Sequence, residues 1–244
     1  DEDLAVGWLA SETDLSARTA VTSIKRDGAA ASRSQGIEEA VDTVHLKVAA
    51  SVEIPKARAY LTSSSCGICS AEVIEATPKP RVALQSEGWQ LTPQEAHEWV
   101  AAMREEQKMF ELTGSLHAAA IIAPGGSLQV VREDVGRHNA VDKVAGWMRA
   151  NQVIGSDKVL YTTGRLTSEM VIKCALMGIP ILASRSGFTA WAVELAERVG
   201  LTLIGRMRGQ RFQCLAGNGR LVYDADFNDE KAVSYTHLTL PTKA

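Results

Sequence analysis

The sequence predicts an α/β protein built on a parallel or mixed sheet that is flanked by helices. From residue 117 onward, short apolar stretches alternate with longer amphipathic ones, and the short connections between them are typical of strand–helix–strand units. Hydrophobic residues make up 45% of the chain and charged residues 23%, which is an ordinary globular composition. The length of 244 residues allows one large domain or two small ones.

The N-terminal third of the chain is less regular. Residues 44–48 alternate between apolar and polar, which predicts a half-buried strand. Residues 61–65 are rich in serine and threonine and predict a loop that leads to Cys66. A short helix over residues 70–76 follows and is ended by prolines. We therefore predict a smaller N-terminal α+β part, residues 1–88, that carries the cysteine loop.

A long helix is predicted to begin after Thr92. Thr92 can cap it, Pro93 suits its first turn, and Glu95 completes a capping box. Gly114 is placed just past its end. An apolar stripe gives the helix its buried face: Trp99, Val100, Met103 and Phe110.

Strands and helices then alternate through residues 89–233, the predicted α/β domain. We predict strands at His117–Ala123, Leu128–Arg132, Val159–Thr163, Pro180–Ser184 and Leu201–Ile204, with helices at Asn139–Met148, Ser168–Met177 and Thr189–Val199. A hairpin is predicted to close the domain, with Phe212–Leu215 and Leu221–Tyr223 joined through Gly217-Asn-Gly. Residues 234–244 follow no amphipathic pattern and are predicted to be a non-native tail.

The bulk properties exclude several classes of protein. The net charge is −3, so no broad basic face indicates a nucleic-acid partner. No apolar stretch approaches the roughly 20 residues that span a bilayer, and the first residues, Asp-Glu-Asp, differ from the basic and then apolar pattern of a signal peptide. Four cysteines are too few for a fold built on disulfides. We therefore expect a cytoplasmic protein, in which a Cys-x-x-Cys pair indicates redox, metal or sulfur chemistry.

The first candidate site is the motif Cys66-Gly-Ile-Cys69. Sulfur transfer needs a thiolate, and the predicted position of Cys66 at a helix N-terminus favours one because the helix dipole stabilises negative charge there. Cys66 and Cys69 are therefore the candidate catalytic residues. Half of a zinc site and a structural pair stay open as alternatives, although Cys174 and Cys214 stand alone and offer no second pair.

The second candidate site is a charged turn between a predicted strand and a predicted helix. Such turns bind ligands in α/β sheets because helix N-terminal amides point into the crevice. Arg137 and His138 can meet an anion there, Asp134 can orient one of them, and Asp142 and Lys143 can pair with each other. A solvated turn with surface ion pairs is the alternative.

The third candidate site is an arginine-rich segment directly after the strand at residues 201–204. Guanidinium groups suit phosphate oxygens, so a dinucleotide pyrophosphate would fit this segment, whereas a basic loop kept for solubility is the alternative. Its residues are Arg206, Met207, Arg208, Gly209, Gln210 and Arg211. Two hydroxyl-rich turns, residues 163–169 and 184–189, are expected to line the same crevice, although each hydroxyl taken singly is expected to cap a helix. His117 is either a structural histidine, in the core or at its rim with its hydrogen bonds satisfied, or a functional one.

Taken in order, these motifs resemble the FdhD/NarQ family of formate dehydrogenase accessory sulfurtransferases. The resemblance is carried by Cys66-Gly-Ile-Cys69, Thr113-Gly-Ser-Leu-His-Ala-Ala-Ala120, Glu133-Asp-Val-Gly-Arg-His-Asn-Ala-Val-Asp-Lys143, Gly164-Arg165 with Ser168-Glu-Met-Val171, and Leu201-Thr-Leu-Ile-Gly205. It covers the chain from about residue 3 to about residue 223.

The resemblance implies a role for each site. A cysteine desulfurase would load Cys66 with a persulfide, and the sulfur would pass to a molybdenum bis(guanine dinucleotide) cofactor bound at residues 206–211, with GDP or GMP as a possible mimic. Formate dehydrogenase would receive the product. The family implies a homodimer and a C-terminal part similar in fold to cytidine deaminases. It also carries strands before the point where this sequence begins, so the N-terminal part is expected to be truncated.

Two other functions stay in view. A zinc-dependent hydrolase of the deaminase class needs a His-x-Glu motif, or its cysteine variant, ahead of its cysteine pair. Here the pair precedes His117, and no glutamate stands at the required place. A non-catalytic chaperone that binds the molybdenum cofactor or a guanine nucleotide would keep the arginine segment but would have no use for a reactive Cys66.

Overall fold

The computed structural model describes residues 2–12, 21–34, 37–49, 92–208 and 211–221. In chain order its elements are α1 (Glu2–Glu12), β1 (Val21–Ser34), β2 (Ile37–Val48), α2 (Pro93–Glu106), α3 (Lys108–Thr113), β3 (His117–Ile122), β4 (Leu128–Asp134), α4 (Arg137–Ala150), β5 (Val159–Thr162), α5 (Ser168–Leu176), β6 (Ile181–Ser184), α6 (Ala190–Val199), β7 (Thr202–Arg208) and β8 (Arg211–Ala216).

Six strands form one mixed sheet in the order β4-β3-β5-β6-β7-β8. The central strands β5, β6 and β7 are parallel, while β3 runs antiparallel to both β4 and β5 and β8 antiparallel to β7. The predicted mixed sheet with flanking helices is confirmed. Strands β1 and β2 form a separate antiparallel hairpin, and β2 contains the predicted strand at residues 44–48.

The sheet buries both of its faces. On one face Leu160 and Leu182 pack in a cluster with apolar residues of α4, α5 and α6. On the other face Tyr161 lies in a second cluster together with Trp99 and Met103 of α2. All four of the large side chains Trp99, Met103, Leu160 and Leu182 are at most 1% exposed, as expected for a sheet covered by helices on both sides.

Helix α2 begins as the sequence predicts. The Thr92 hydroxyl accepts a hydrogen bond from the Glu95 N–H, and the Glu95 carboxylate accepts one from the Thr92 N–H, so the capping box is complete. The predicted single helix is wrong at its C-terminal end, because Gln107 leaves helical geometry and α3 begins afresh at Lys108. Phe110 is consequently 38% exposed rather than part of the buried stripe.

The closing hairpin also differs from the prediction. Strand β8 pairs with β7, and residues 218–220 form a short 3-10 turn rather than the tip of a second hairpin. Of the strand predicted at Leu221–Tyr223, only Leu221 is described. The predicted boundary near residues 88–91, the loop and helix at 61–76 and the tail at 234–244 lie outside the described residues.

Helix α1 docks closely on α4. A Cβ atom on Gly7 would lie 1.7 Å from the carbonyl oxygen of Asp142, and one on Gly146 would lie 1.9 Å from the carbonyl oxygen of Asp3. Only glycine permits this approach of two helix backbones. The Asp3 carboxylate also forms an ion pair with Arg132 of β4, at 2.8 Å.

In the described parts of the chain, no helix combines the length and the apolar character needed to cross a membrane.

Candidate anion-binding site

One edge of the sheet gathers most of the predicted site residues. His117, the first residue of β3, pairs with Asp134, the last residue of β4. Thr162 and Ser184, the last residues of β5 and β6, pair with each other, and β7 runs parallel to β6. The end of each of these strands, other than β3, therefore lies at the same edge, where β3 begins. We call it the carboxyl edge. Three strand-to-helix turns therefore meet at this place, which is where open α/β sheets bind their ligands.

The β4–α4 turn is fixed by Asp134. Its carboxylate accepts a hydrogen bond from the Gly136 N–H at 2.8 Å and forms an ion pair with Lys143 at 2.7 Å. Burial acts to raise the pKa of Asp134, but the hydrogen bonds from Lys143 and Gly136 outweigh it, so this pKa lies below its ordinary value. Lys143 therefore pairs with Asp134, and Asp142 pairs with Lys173 of α5, so the suggestion that Asp142 and Lys143 pair with each other is wrong. That Asp134 orients Arg137 or His138 stays a prediction.

Arg137 and His138 open helix α4. The side chain of Arg137 lies against Gly164 of the β5–α5 turn, where an added Cβ atom would lie 2.8 Å from the Arg137 Cβ atom. The His138 Nε2 atom lies 3.3 Å from the Glu169 Oε2 atom in the first turn of α5. The starts of two helices thus face each other at the carboxyl edge.

His117 and His138 lie in a positively charged environment. Burial lowers the pKa of His117, and the charges of Arg137 and Arg165 lower it further. Burial, followed by the charges of Arg137, Lys173 and His117, lowers the pKa of His138 to about 3. Both imidazoles are therefore neutral near neutral pH, and the contact between His138 and Glu169 is not an ion pair. His117 lies at the carboxyl edge and is only partly buried, and its functional role stays a prediction.

Hydroxyl groups join the turns to one another. The Thr163 hydroxyl accepts a hydrogen bond from the Ala118 N–H at 2.9 Å, and the Ser184 hydroxyl donates one to the Gly164 carbonyl at 2.6 Å. Of the hydroxyls expected to cap helices, Thr189 does so, accepting from the Ala192 N–H. Thr167 precedes α5 without forming a cap hydrogen bond. The hydroxyls at this edge therefore hold the turns together more than they cap helices.

Arg206 reaches the same edge from β7. Its backbone has a φ of 52°, and its N–H donates to the Ser186 carbonyl at 2.9 Å. Its guanidinium carbon lies 5.5 Å from the centre of the Phe188 ring, within the range of a cation–π contact. This local irregularity of β7 therefore directs a cation towards the β6–α6 turn.

The other residues of the arginine segment differ in their surroundings. Arg208 is exposed at the end of β7, whereas Met207 is 3% exposed and packs in the hydrophobic cluster that includes α2. The Met207 side chain is therefore a core residue, and only its backbone can face a ligand. Arg211 begins β8. Gly209 and Gln210 lie outside the described residues, as do Cys66 and Cys69.

Three residues at this edge were not singled out as candidate site residues from the sequence. Arg165 and Glu169 were considered only as parts of a turn, and Phe188 was not assigned a role. A sequence pattern that could have indicated them is present in both turns, residues 163–169 and 184–189. In each turn a glycine lies next to or near an arginine, directly after a buried strand. Their importance depends on the pairing of β5 with β6, which the sequence does not specify.

The position of Arg137 depends on the absence of a side chain at Gly164. We expect Gly164→Ala to displace Arg137 and to destabilise the fold by about 1–3 kcal/mol, with weaker anion binding as the result. Gly187→Ala is the matched control, because an added Cβ atom there meets no atom within 4 Å in the β6–α6 turn. Equal urea midpoints and equal affinities for GDP in the two variants would contradict this role of Gly164.

The fold is that of an α/β protein with positive charge gathered at one edge of its mixed sheet. Comparison with known proteins identifies the family. The family model described as the FdhD/NarQ family matches residues 1–222, so this chain belongs to the FdhD/NarQ family.

Its relatives cover most of the chain. It is 37% identical over 223 residues to the sulfur carrier protein FdhD of Nocardia farcinica, covering 91% of this chain and 78% of the relative. The protein of the same name from Saccharolobus solfataricus is 32% identical, with 91% and 79% covered. Among solved structures, a formate dehydrogenase accessory protein from Desulfotalea psychrophila superimposes with a TM-score of 0.67 at 28% identity, covering 91% of this chain and 79% of that one.

Proposed function

We propose that this protein is a sulfur carrier that serves formate dehydrogenase. Cys66 takes sulfur from a cysteine desulfurase, and the sulfur passes to a molybdenum bis(guanine dinucleotide) cofactor held at the carboxyl edge. The cofactor is here a substrate rather than a resident group. Membership of the FdhD/NarQ family and the names of the relatives support the carrier role.

The observation that carries the proposal is the concentration of cations at one edge of an otherwise acidic protein. The net charge of the chain is −3, yet Arg137 and Arg165 lie close enough to His117 to lower its pKa, and Arg206 approaches the same edge from β7. Guanidinium groups bind phosphate oxygens in pairs. The pyrophosphates that join guanosine to the pterin are the part of the cofactor that fits this charge.

The guanine ends of the cofactor need a different surface. Phe188 lies under the Arg206 guanidinium, and an aromatic ring with an adjacent cation is a platform on which a base can stack. By their position in the sequence directly after Arg206, we include Met207, Arg208, Gly209, Gln210 and Arg211 in the proposed contact with the cofactor.

The cysteines of the chain divide into two kinds. Cys174 is fully buried, and burial raises its pKa well above the ordinary value; burial also raises the pKa of Cys214 to about 11. Neither is suited to act as a thiolate. Of the four cysteines, Cys66 and Cys69 are left for sulfur chemistry.

Loading is a thiol–persulfide exchange. The Cys66 thiolate attacks the outer sulfur of the persulfide on the desulfurase, a sulfur–sulfur bond forms on Cys66, and the desulfurase cysteine leaves as a thiolate. Cys69 either assists this loading or resolves a disulfide with Cys66.

The protein acts in the cytoplasm as a homodimer, and its sheet is related in fold to cytidine deaminases.

Binding of GDP tests the proposed site. We expect Arg137→Met to weaken the affinity for GDP by about tenfold or more, because a charged hydrogen bond to a phosphate is worth about 1.5–3 kcal/mol. Arg198→Met is the control, since Arg198 lies in the last turn of α6, away from the carboxyl edge, and stacks on Trp191. Isothermal titration calorimetry measures both, and an unchanged affinity in Arg137→Met would exclude this site.

The alternative is a chaperone that binds the cofactor without carrying sulfur. It shares the carboxyl edge with the sulfur carrier, and the two functions therefore predict the same GDP affinities. They differ in whether Cys66 acquires sulfur, which intact-mass spectrometry measures.

A further inference from the structure

Two histidines lie at the carboxyl edge between fixed charges contributed by several elements. His117 begins β3 and His138 lies in the first turn of α4, close enough for the charge of one to affect the pKa of the other. The groups that face them are Arg137 from α4, Arg165 from the β5–α5 turn, and Glu169 and Lys173 from α5.

The nearby carboxylates are not equally available to these histidines. Asp134 is paired with Lys143 at 2.7 Å, and Asp142 with Lys173 at 2.6 Å. Glu169 approaches an imidazole, at 3.3 Å from His138 Nε2. Within the part of the chain that the structure describes, the two histidines are therefore surrounded mainly by positive charge, and Glu169 is placed to receive a charged imidazole.

In the absence of a ligand, this arrangement keeps both histidines neutral. Burial is the largest cause of the lowered pKa of each histidine, and the neighbouring cations add to it. A bound polyanion counteracts the effect of the neighbouring cations on the pKa of the histidines, because its negative charge offsets the positive charge of Arg137 and Arg165. The same phosphates also accept hydrogen bonds from a protonated imidazole, which stabilises the charged form.

We propose that a phosphate-bearing ligand binds at the carboxyl edge together with a proton, which the His117–His138 pair takes up from solvent. The inference rests on the proposed function, in that it requires an anion at this edge. On protonation, His138 gains an ion pair with Glu169, and His117 becomes a cation beside the ligand. The pair thereby favours ligands with several negative charges over neutral or singly charged ones.

The sign of the pH dependence follows from linkage. The bound state holds more protons than the empty one, so the affinity rises as the pH falls. Full uptake of one proton strengthens binding by about tenfold for each pH unit. The effect is expected between about pH 5 and about pH 8, the ordinary range of imidazole titration, because the negative charge of the ligand and its hydrogen bonds to the imidazoles together offset burial and repulsion. It disappears at higher pH.

Calorimetric proton counting tests the proposal. The probe is diguanosine pyrophosphate, a diester that does not itself titrate in the neutral range. Binding heats measured in two buffers with different ionisation enthalpies give the number of protons taken up per ligand. For the wild-type protein we expect a value that approaches one below about pH 6 and falls towards zero above about pH 8.

Variants assign the proton to the pair. A double variant, His117→Gln with His138→Gln, is expected to bind the probe with little proton uptake and a flat pH profile. His45→Gln, which removes an exposed histidine from β2, is expected to match the wild type. Binding without proton uptake in the wild type overturns this inference alone. Absence of binding at every pH overturns the proposed cofactor site and this inference with it.

Discussion

Replacing Cys66 with alanine is expected to abolish sulfur loading of the protein and activation of formate dehydrogenase. Wild-type protein incubated with a cysteine desulfurase and cysteine should gain the mass of one sulfur atom, and Cys66→Ala should gain none, because the accepting thiolate is absent. Intact-mass spectrometry measures the gain. Formate dehydrogenase activity in cells that lack the native accessory protein measures the consequence.

Two buried cysteines supply the control for this experiment. Cys174 and Cys214 are at most 2% exposed, so a Cys214→Ala variant should gain sulfur as the wild type does. A sulfur gain in Cys66→Ala, together with active formate dehydrogenase, would contradict the carrier role of Cys66. Folded wild-type protein that binds GDP and gains no sulfur would instead favour the non-catalytic chaperone.

Replacing Asp142 with alanine is expected to destabilise the fold by about 3 kcal/mol or more. The Asp142 side chain is 3% exposed, and it accepts hydrogen bonds from Lys173 Nζ at 2.6 Å and from the Ser11 hydroxyl of α1 at 2.7 Å. Removing the carboxylate leaves the largely buried ammonium of Lys173 without a counter-charge, which is costly. Urea denaturation gives the free energy of unfolding.

An exposed ion pair and a double variant show whether burial is the cause. Glu194 and Arg198 pair on the surface of α6, with side chains 45% and 63% exposed, so Glu194→Ala should cost less than about 1 kcal/mol. Asp142→Leu combined with Lys173→Met removes both charges and should recover most of the loss. A similar loss in the free energy of unfolding for Asp142→Ala and Glu194→Ala would contradict the view that burial makes the Asp142–Lys173 pair important.

The sequence predicts those features that depend on neighbours along the chain. The capping box at Thr92 and Glu95 involves residues three apart, and the mixed sheet follows from alternating strands and helices. Arg137 and His138 could be assigned to the turn between a strand and a helix because the strand, the glycine and the helix are contiguous. These predictions needed no knowledge of which strands are neighbours.

Other features depend on partners distant in sequence. Asp142 pairs with Lys173 rather than with Lys143, since successive residues on a helix point in different directions and α5 supplies the nearer cation. Helix α1 was not predicted because its apolar residues do not form a clear stripe. Its docking on α4 requires close backbone contact at Gly7 and Gly146, which the sequence does not indicate.

The positive φ at Arg206 implies a trade-off between folding and binding. An arginine in the left-handed region is less stable than a glycine by about 1 kcal/mol. Glycine would relieve this strain but would remove the cation that lies over Phe188. The proposed anion site would therefore account for an arginine at a position of the carboxyl edge where glycine is the more stable residue.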